Sequence, residues 1–234
     1  VYAACVVGLG GARLADRVER AGLIPWVLVR AYPGGGNGDA PADWWVGDAA
    51  VSMTDSATTF VRHGPDSERI EASCPLPGLV NVQNAAVAIV SAVTLGIGLA
   101  DVITSGENAP QIPGRMEKVN PTPGAQPLVI VDYAHTPEAL EWTLRSTREL
   151  TPGKVVIVFG TDGDRDATKR EHLAQIAARE ADILWVTDEN PRTEDPQSIR
   201  DYLLRGIASV RPGMEDVTEV TTCRRDAVRR AILA

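Results

Sequence analysis

Three loops in the second half of the chain carry the residues best suited to chemistry, and the first is acidic and aromatic. Residues 132–137 are Asp-Tyr-Ala-His-Thr-Pro and follow an apolar segment. The carboxylate of Asp132, the aromatic ring and the imidazole of His135 could hold a ribose and a base. The same spacing fits a second interpretation, in which Asp132 and His135 only satisfy amides of their own loop. Thr136 and Pro137 suit the N-cap and first turn of a helix.

The second loop alternates acidic residues with glycine and arginine. Residues 161–166 are Thr-Asp-Gly-Asp-Arg-Asp. A calcium loop is excluded, because Ala167 stands where such a loop needs glycine and Leu173 where it needs a bidentate glutamate. A nucleotide or substrate loop at a helix N-terminus fits better, with Arg165 pairing a carboxylate or phosphate. The competing interpretation is a solvated, ion-paired helix start.

The third loop is rigid and also carries an arginine. Residues 187–196 are Thr-Asp-Glu-Asn-Pro-Arg-Thr-Glu-Asp-Pro, and the two prolines restrict the backbone. Asn190 can donate and accept hydrogen bonds, and Arg192 can bind a carboxylate. Because parallel strands end at one edge of a sheet, Arg165 and Arg192 could face one zwitterionic ligand.

Apolar periodicity predicts the elements that position these loops. In the second region, nearly unbroken apolar strands alternate with amphipathic helices, which predicts a parallel sheet covered on both faces. The fold class is therefore α/β, with a doubly wound, mostly parallel sheet. The predicted strands are 127–133, 154–160, 182–187 and 216–220, and the predicted helices are 137–149, 167–180, 196–208 and 223–233.

The first region has a different pattern. Alternating polarity over 44–62 and 68–74 predicts antiparallel strands with one wet face. Strands are also expected at 2–7 and 25–31, and helices near 11–22 and 81–96. Pro110 and Pro113 mark a linker, so we expect two domains, 1–113 and 114–234.

The composition limits the classes of protein. The 234 residues carry a formal net charge of −8, which argues against nucleic acid or an anionic membrane as the main partner. The three cysteines lie far apart in no metal spacing, as in proteins of a reducing compartment. No apolar run approaches the roughly 18–20 residues of a membrane span. We therefore expect a cytoplasmic protein that binds small molecules.

A glycine-rich turn suggests a rival function. Residues 7–12, Val-Gly-Leu-Gly-Gly-Ala, imitate a dinucleotide-binding turn. The last required glycine is missing, and Arg30 ends the next strand where an acid should bind the ribose. A nicotinamide-dependent oxidoreductase is therefore disfavoured. Two further interpretations stay open: a non-catalytic module that binds an amino acid or a nucleotide, and a structurally incomplete fragment.

Five segments, taken in order, resemble the Mur ligase family. They are residues 77–86 (PGLVNVQNAA), 114–117 (GRME), 131–137 (VDYAHTP), 159–170 (FGTDGDRDATKR) and 187–192 (TDENPR). The resemblance is strongest to the branch that adds meso-diaminopimelate to UDP-MurNAc-L-Ala-D-Glu in peptidoglycan synthesis. It implies an ATP-dependent amide ligase that works through an acyl phosphate. It also implies a Rossmann-like C-terminal domain, preceded by the second half of a central ATP-binding domain.

The resemblance also implies roles for particular residues. An acceptor loop that recognises diaminopimelate would contain Arg165, Glu189, Asn190 and Arg192. The adenosine of ATP would lie among Asn84, Arg115, Asp132 and His135. Lysine lacks the distal carboxylate of diaminopimelate, so a site built for that charge should reject lysine by leaving cations unpaired. No residue is assigned a catalytic or metal-binding role.

Two acidic residues are among the departures from the family pattern, and some family segments have no counterpart in the sequence. Glu189 stands where the family has aspartate, and Asp162 adds a negative charge to the glycine-rich stretch. The expected UDP-binding domain, the P-loop, the carbamylated lysine with its Mg²⁺ site and the segment that completes the acceptor pocket beyond Ala234 are absent. We therefore expect the parent protein to be the ligase and this chain alone to be inactive.

Overall fold

The computed structural model describes residues 5–8, 26–30, 44–51, 56–62, 69–119 and 127–234. The chain divides into two compact units, Val1–Ile112 and Pro113–Ala234, each described here by itself. The predicted helix near 11–22 lies outside the described residues. So does the glycine-rich turn, apart from its beginning.

The first unit contains a five-stranded mixed sheet. The strands follow chain order across the sheet: β1 (Cys5–Gly8), β2 (Trp26–Arg30), β3 (Trp44–Val51), β4 (Ser56–Arg62) and β5 (Arg69–Cys74). The first three strands are parallel, and the last three pair antiparallel, as the alternating sequence predicts.

Two helices complete the described part of the first unit. The predicted helix at 81–96 is α1 (Leu79–Thr94), whereas α2 (Leu99–Glu107) was not predicted. Buried side chains of both helices pack with Trp44 and Ile70 in one hydrophobic core. The second helix is short and rich in residues of modest helix propensity, so its packing against the core stabilises it.

The second unit is an α/β layer structure that begins with a short antiparallel ladder of β6 (Glu117–Lys118) and β7 (Ile130–Val131). Three further strands form a parallel sheet: β8 (Val156–Phe159), β9 (Ile183–Val186) and β10 (Val217–Glu219), with β9 in the middle. The helices are α3 (Pro137–Leu150), α4 (Thr168–Glu180), α5 (Pro196–Val210) and α6 (Arg224–Leu233). Each of these three strands and four helices was predicted to within two residues at either end.

Both faces of the parallel sheet are covered. Leu184 and Val186 of β9 pack into a core with buried side chains of α3, α4 and α5. Trp185, between them, points to the opposite face and packs with Ala227 of α6. Successive strand residues alternate between faces, so the unbroken apolar run of β9 fills both layers. The predicted doubly wound α/β fold is confirmed.

The prediction of a parallel strand at 127–133 was wrong. Only the two residues of β7 form a strand there, and they pair antiparallel with β6. Val131 is exposed, so the apolar run is not buried on both faces as a central parallel strand would be. Pro127, at its start, has no amide hydrogen to donate to a ladder. Across the described residues, no helix combines the length and apolar character needed to cross a membrane.

Candidate functional site

Two loops lie in backbone contact at the carboxyl edge of the parallel sheet. We call residues 160–167 the β8 loop and residues 187–195 the β9 loop. The amide of Gly163 donates a 2.8 Å hydrogen bond to the carbonyl of Asn190. A Cβ atom on Gly163 would lie 1.9 Å from the carbonyl oxygen of Pro191, and one on Gly160 would lie 2.3 Å from that of Thr187. Glycine is therefore required at both positions for the loops to approach.

A buried arginine joins the same two loops. Arg170, in the first turn of α4, is 1% exposed, and its guanidinium donates to both carboxylate oxygens of Glu194 at 2.8 and 2.7 Å. A third hydrogen bond, 3.2 Å long, reaches the carbonyl of Asp162. Bidentate charged pairs are strong and directional. The hydrogen bonds from Arg170 and from the amide of Asp164 lower the pKa of Glu194 to about 2.

Asp164 of the β8 loop also forms hydrogen bonds with the β9 loop. Its amide donates to Glu194 at 2.6 Å, and its carboxylate accepts hydrogen bonds from the amide and hydroxyl of Thr193 at 3.2 and 2.7 Å. Asp164 and Arg192 have φ angles of 53° and 52°, in the left-handed region that non-glycine residues seldom adopt. The hydrogen bonds across the loops offset this backbone strain, which is common at binding sites.

The four residues predicted to bind the acceptor all lie on these contacting loops. Arg165 is exposed, and within the described ranges it makes no hydrogen bond or ion pair. Arg192 is exposed too, with Nη2 3.5 Å from the Asp162 carboxylate. The backbone carbonyl of Asn190 accepts the hydrogen bond from Gly163, and Glu189 precedes Asn190 in the sequence. Desolvation raises the pKa of Glu189; Arg224 opposes this shift and Asp162 adds to it.

The strand ends also contain unused hydrogen-bonding capacity. The hydroxyl groups of Thr161 and Thr187 are buried and have no hydrogen-bond partner. Buried polar groups are seldom left unpaired in proteins. A polar group or water molecule at this edge would satisfy them.

The carboxylate of Asp132 accepts one hydrogen bond from its own loop and two from outside it. One carboxylate oxygen accepts from the amide of Ala134 at 2.9 Å and from the hydroxyl of Thr143 at 3.0 Å. The other accepts from the amide of Met116 at 2.9 Å. A carboxylate oxygen has two lone pairs, so one acceptor position on Asp132 is left for a ligand.

Arg115 and His135 surround an exposed tyrosine. The guanidinium carbon of Arg115 lies 4.8 Å from the ring centroid of Tyr133, and the His135 ring meets the tyrosine edge with centroids 4.9 Å apart. Nδ1 of His135 lies 3.0 Å from the carbonyl of Tyr133, and Lys169 donates to the His135 carbonyl at 3.0 Å. The side chain of Tyr133 is exposed and could stack on a planar base. Asn84 belongs to the first unit, where it is exposed on α1.

Sequence reasoning missed the buried cations behind the loops. Besides Arg170, Arg200 is 5% exposed and pairs with Asp188, after β9, and with Glu219 of β10 at 2.8 Å. Each arginine lies three residues before a buried leucine, on the apolar stripe of its helix. A charged residue on the apolar stripe of a helix is the sequence signal that could have indicated a buried arginine. In the ranges that the structure describes, no group of three or more His, Cys, Asp or Glu side chains could hold a metal ion.

Comparisons with known proteins agree with this architecture. A family model described as Mur ligase, glutamate ligase domain, matches residues 114–234. The chain is 40% identical over 196 residues to the UDP-N-acetylmuramoyl-L-alanyl-D-glutamate–2,6-diaminopimelate ligase of Trichormus variabilis, covering 83% of this chain and 38% of that protein. It is 38% identical over 216 residues to the Streptomyces coelicolor ligase of the same name, covering 92% and 41%.

A solved structure of a ligase with that name is similar along nearly the whole chain. The match has a TM-score of 0.56 and 26% sequence identity, and it covers 97% of this chain and 44% of that one. The chain thus spans well under half the length of the relatives it matches. Because the family model covers all but the first residue of the second unit, the chain belongs to the Mur ligase family.

Proposed function

We propose that this chain carries the acceptor-binding part of an ATP-dependent amide ligase that joins meso-diaminopimelate to UDP-MurNAc-L-Ala-D-Glu. Relatives named for this reaction match most of the chain. The observation that carries the proposal is the placement of Arg165, Asn190 and Arg192 on two loops fixed against each other at the carboxyl edge of a parallel sheet. Ligands of open α/β sheets bind at this edge.

The chemistry of these side chains suits the distal end of diaminopimelate. That end carries a carboxylate and an ammonium group. A guanidinium binds a carboxylate through two parallel hydrogen bonds, which Arg165 and Arg192 can supply. The amide oxygen of Asn190 can accept from the ammonium group, and the Glu189 carboxylate lies next to it in sequence. The distal end of lysine has the ammonium group alone and offers the two arginines no carboxylate.

In the reaction, these residues would bind the acceptor amino acid and orient its amine. Amide formation needs the acceptor amine held against an activated carboxyl group, and such positioning can supply much of the rate enhancement. ATP would supply the phosphoryl group that activates the carboxylate of the D-glutamyl residue. Arg115, Asp132 and His135 are the proposed neighbours of its adenosine, and Asp132 would offer its one remaining acceptor position. We assign Mg²⁺ to the remainder of the parent protein, and the reaction to the cytoplasm.

A calorimetric titration of the chain with meso-diaminopimelate tests the acceptor site, with L-lysine as the control ligand. We expect diaminopimelate to bind at least about tenfold more tightly than lysine, because hydrogen bonds to charged groups contribute about 1.5–3 kcal/mol. Arg165→Gln and Arg192→Gln should each weaken diaminopimelate binding by about 10- to 100-fold. Arg205→Gln, on exposed α5 surface, is the matched control and should bind as the wild type does. Equal binding of lysine, or no binding of either amino acid, would contradict the proposal.

A non-catalytic binding module is the second candidate for the chain by itself. The sequence contains no GxxxxGK[ST] motif, the loop by which the family would hold a triphosphate. We therefore expect no tripeptide product from the pure chain incubated with ATP, UDP-MurNAc-L-Ala-D-Glu and diaminopimelate. Detection of that product by mass spectrometry would exclude the non-catalytic module.

A further inference from the structure

Arg192, one of the two proposed acceptor-binding arginines, already has a carboxylate partner in this chain. Its Nη2 atom lies 3.5 Å from Oδ2 of Asp162, and the two side chains are 38% and 35% exposed. Asp162 belongs to the β8 loop and Arg192 to the β9 loop. The pair therefore spans the loop contact on its solvent side, where a ligand carboxylate would approach.

The backbone around this pair is fixed on both sides. The carbonyl of Asp162 accepts a hydrogen bond from the buried Arg170, and the next residue, Gly163, donates to the carbonyl of Asn190. These contacts use backbone atoms of Asp162 and Gly163, so they do not depend on the Asp162 carboxylate. The carboxylate is thus held opposite Arg192, and its removal leaves the loop contact in place.

The charge of Asp162 also acts on a second residue of the β9 loop. It contributes to the raised pKa of Glu189, the residue three positions before Arg192. A second carboxylate that approaches Arg192 must displace Asp162 or share the guanidinium with it, and the two like charges repel. Competition from an exposed ion pair of this kind lowers the binding constant of the ligand by a factor of about two to five, and the repulsion between the two carboxylates lowers it further.

We propose that Asp162 is a specificity-determining residue, a carboxylate of the chain itself that pairs with Arg192 and competes with the distal carboxylate of the acceptor. The inference rests on the proposed function, because it takes diaminopimelate as the ligand of Arg192. Removal of the Asp162 charge strengthens binding of diaminopimelate and leaves binding of lysine, which has no distal carboxylate, unchanged.

The ion pair can be tested without any substrate. Phenylglyoxal modifies arginine, and peptide mass spectrometry gives the rate at each residue. We expect Asp162→Asn to raise the rate at Arg192 about two- to fivefold and to leave Arg165 unchanged as an internal reference. Asp166→Asn removes the same charge from the same loop without touching Arg192, and its side-chain oxygen can still accept from Thr168. It should therefore leave the rate at Arg192 as in the wild type. An unchanged rate at Arg192 in Asp162→Asn would overturn the inference.

Calorimetric titration then tests the competition itself. Asp162→Asn should bind meso-diaminopimelate about three- to tenfold more tightly than the wild type, with Asp166→Asn again as the control. Binding by the wild type with no gain in Asp162→Asn overturns this inference alone. Failure of both proteins to bind overturns the proposed function, and the competition with it.

Discussion

Arg170 and Glu194, 24 residues apart in the sequence, form a bidentate ion pair with guanidinium–carboxylate hydrogen bonds of 2.7 and 2.8 Å. The arginine is buried at the start of α4, and the glutamate ends the turn that contains Arg192. Through this pair the loop after β8 and the loop after β9 become one rigid edge. The proposed acceptor residues are exposed on that edge, and their relative positions depend on the ion pair behind them.

Loss of the Glu194 charge should loosen this edge. Glu194→Gln leaves the buried Arg170 without its counter-charge, and removal of one partner of a buried pair is costly. We expect the midpoint of thermal unfolding to fall by about 5 °C or more and binding of meso-diaminopimelate to weaken at least about tenfold. Differential scanning calorimetry and isothermal titration measure the two effects.

The matched control for Glu194→Gln is Glu171→Gln. Glu171 pairs with Arg205 between two exposed side chains, and such pairs contribute little to stability. This variant should melt within about 2 °C of the wild type and bind diaminopimelate unchanged. If both variants behaved alike, Arg170 and Glu194 would not hold the loops.

The free energy of unfolding should also depend on pH through the titration of Glu194. The pKa of Glu194 is lowered from 4.5 to about 2 in the folded protein, so the unfolded chain binds the proton more readily. The stabilisation is therefore fully present above pH 4.5 and is lost as the pH falls from about 4.5 to about 2. Urea unfolding at intervals between about pH 6 and about pH 2.5, in wild type and Glu194→Gln, measures it. The wild type should lose more stability than the variant, and parallel curves would contradict the assignment.

Gly163 should tolerate no side chain. An alanine Cβ there would overlap the Pro191 carbonyl at 1.9 Å, so Gly163→Ala must separate the two loops. We expect diaminopimelate binding to fall about tenfold or more. Gly153→Ala is the control, because its Cβ would meet only the Thr151 hydroxyl, at 3.3 Å, and Gly153 precedes β8 whereas the β8 loop follows it. Retained binding in Gly163→Ala would show that the close contact is not required.

Tyr133 should contribute to binding of the nucleotide base. It is exposed between Arg115 and His135, and stacking of a base on an aromatic ring contributes about 1–3 kcal/mol. Tyr133→Ala should therefore weaken binding of AMP by about 5- to 150-fold, whereas Tyr133→Phe keeps the ring and should bind as the wild type does. Isothermal titration with AMP distinguishes them. Equal affinity in all three proteins would place the base elsewhere.

The layer structure of the second unit was predictable because its signals are local. Continuous apolar runs marked β8 and β9, and Thr136 at the N-cap, followed by Pro137, marked the start of α3. Arg165, Asn190 and Arg192 were singled out from loop positions at strand ends, a rule that follows from the topology, whereas Asn84, Arg115 and Glu189 were named through the resemblance to the family. The same rule did not reveal what holds the loops.

The missed features depend on partners that are distant in sequence. Burial of Arg170 is tolerated because Glu194 and the Asp162 carbonyl accept hydrogen bonds from it, and no local sequence pattern predicts these contacts. β7 was assigned to the parallel sheet because its residues are apolar, yet it pairs with β6, whose two residues give no strand signal. The second helix of the first unit forms through packing on the core rather than through its own propensity.

A nuclear magnetic resonance titration tests directly whether the loops after β8 and β9 form the acceptor site. The ¹⁵N-labelled chain would be titrated with meso-diaminopimelate and, separately, with L-lysine. We expect saturable shifts at the amides of Gly163, Asn190 and Arg192 with diaminopimelate, and much smaller shifts with lysine at the same concentrations. Shifts confined to other parts of the chain, or equal shifts with the two amino acids, would contradict it.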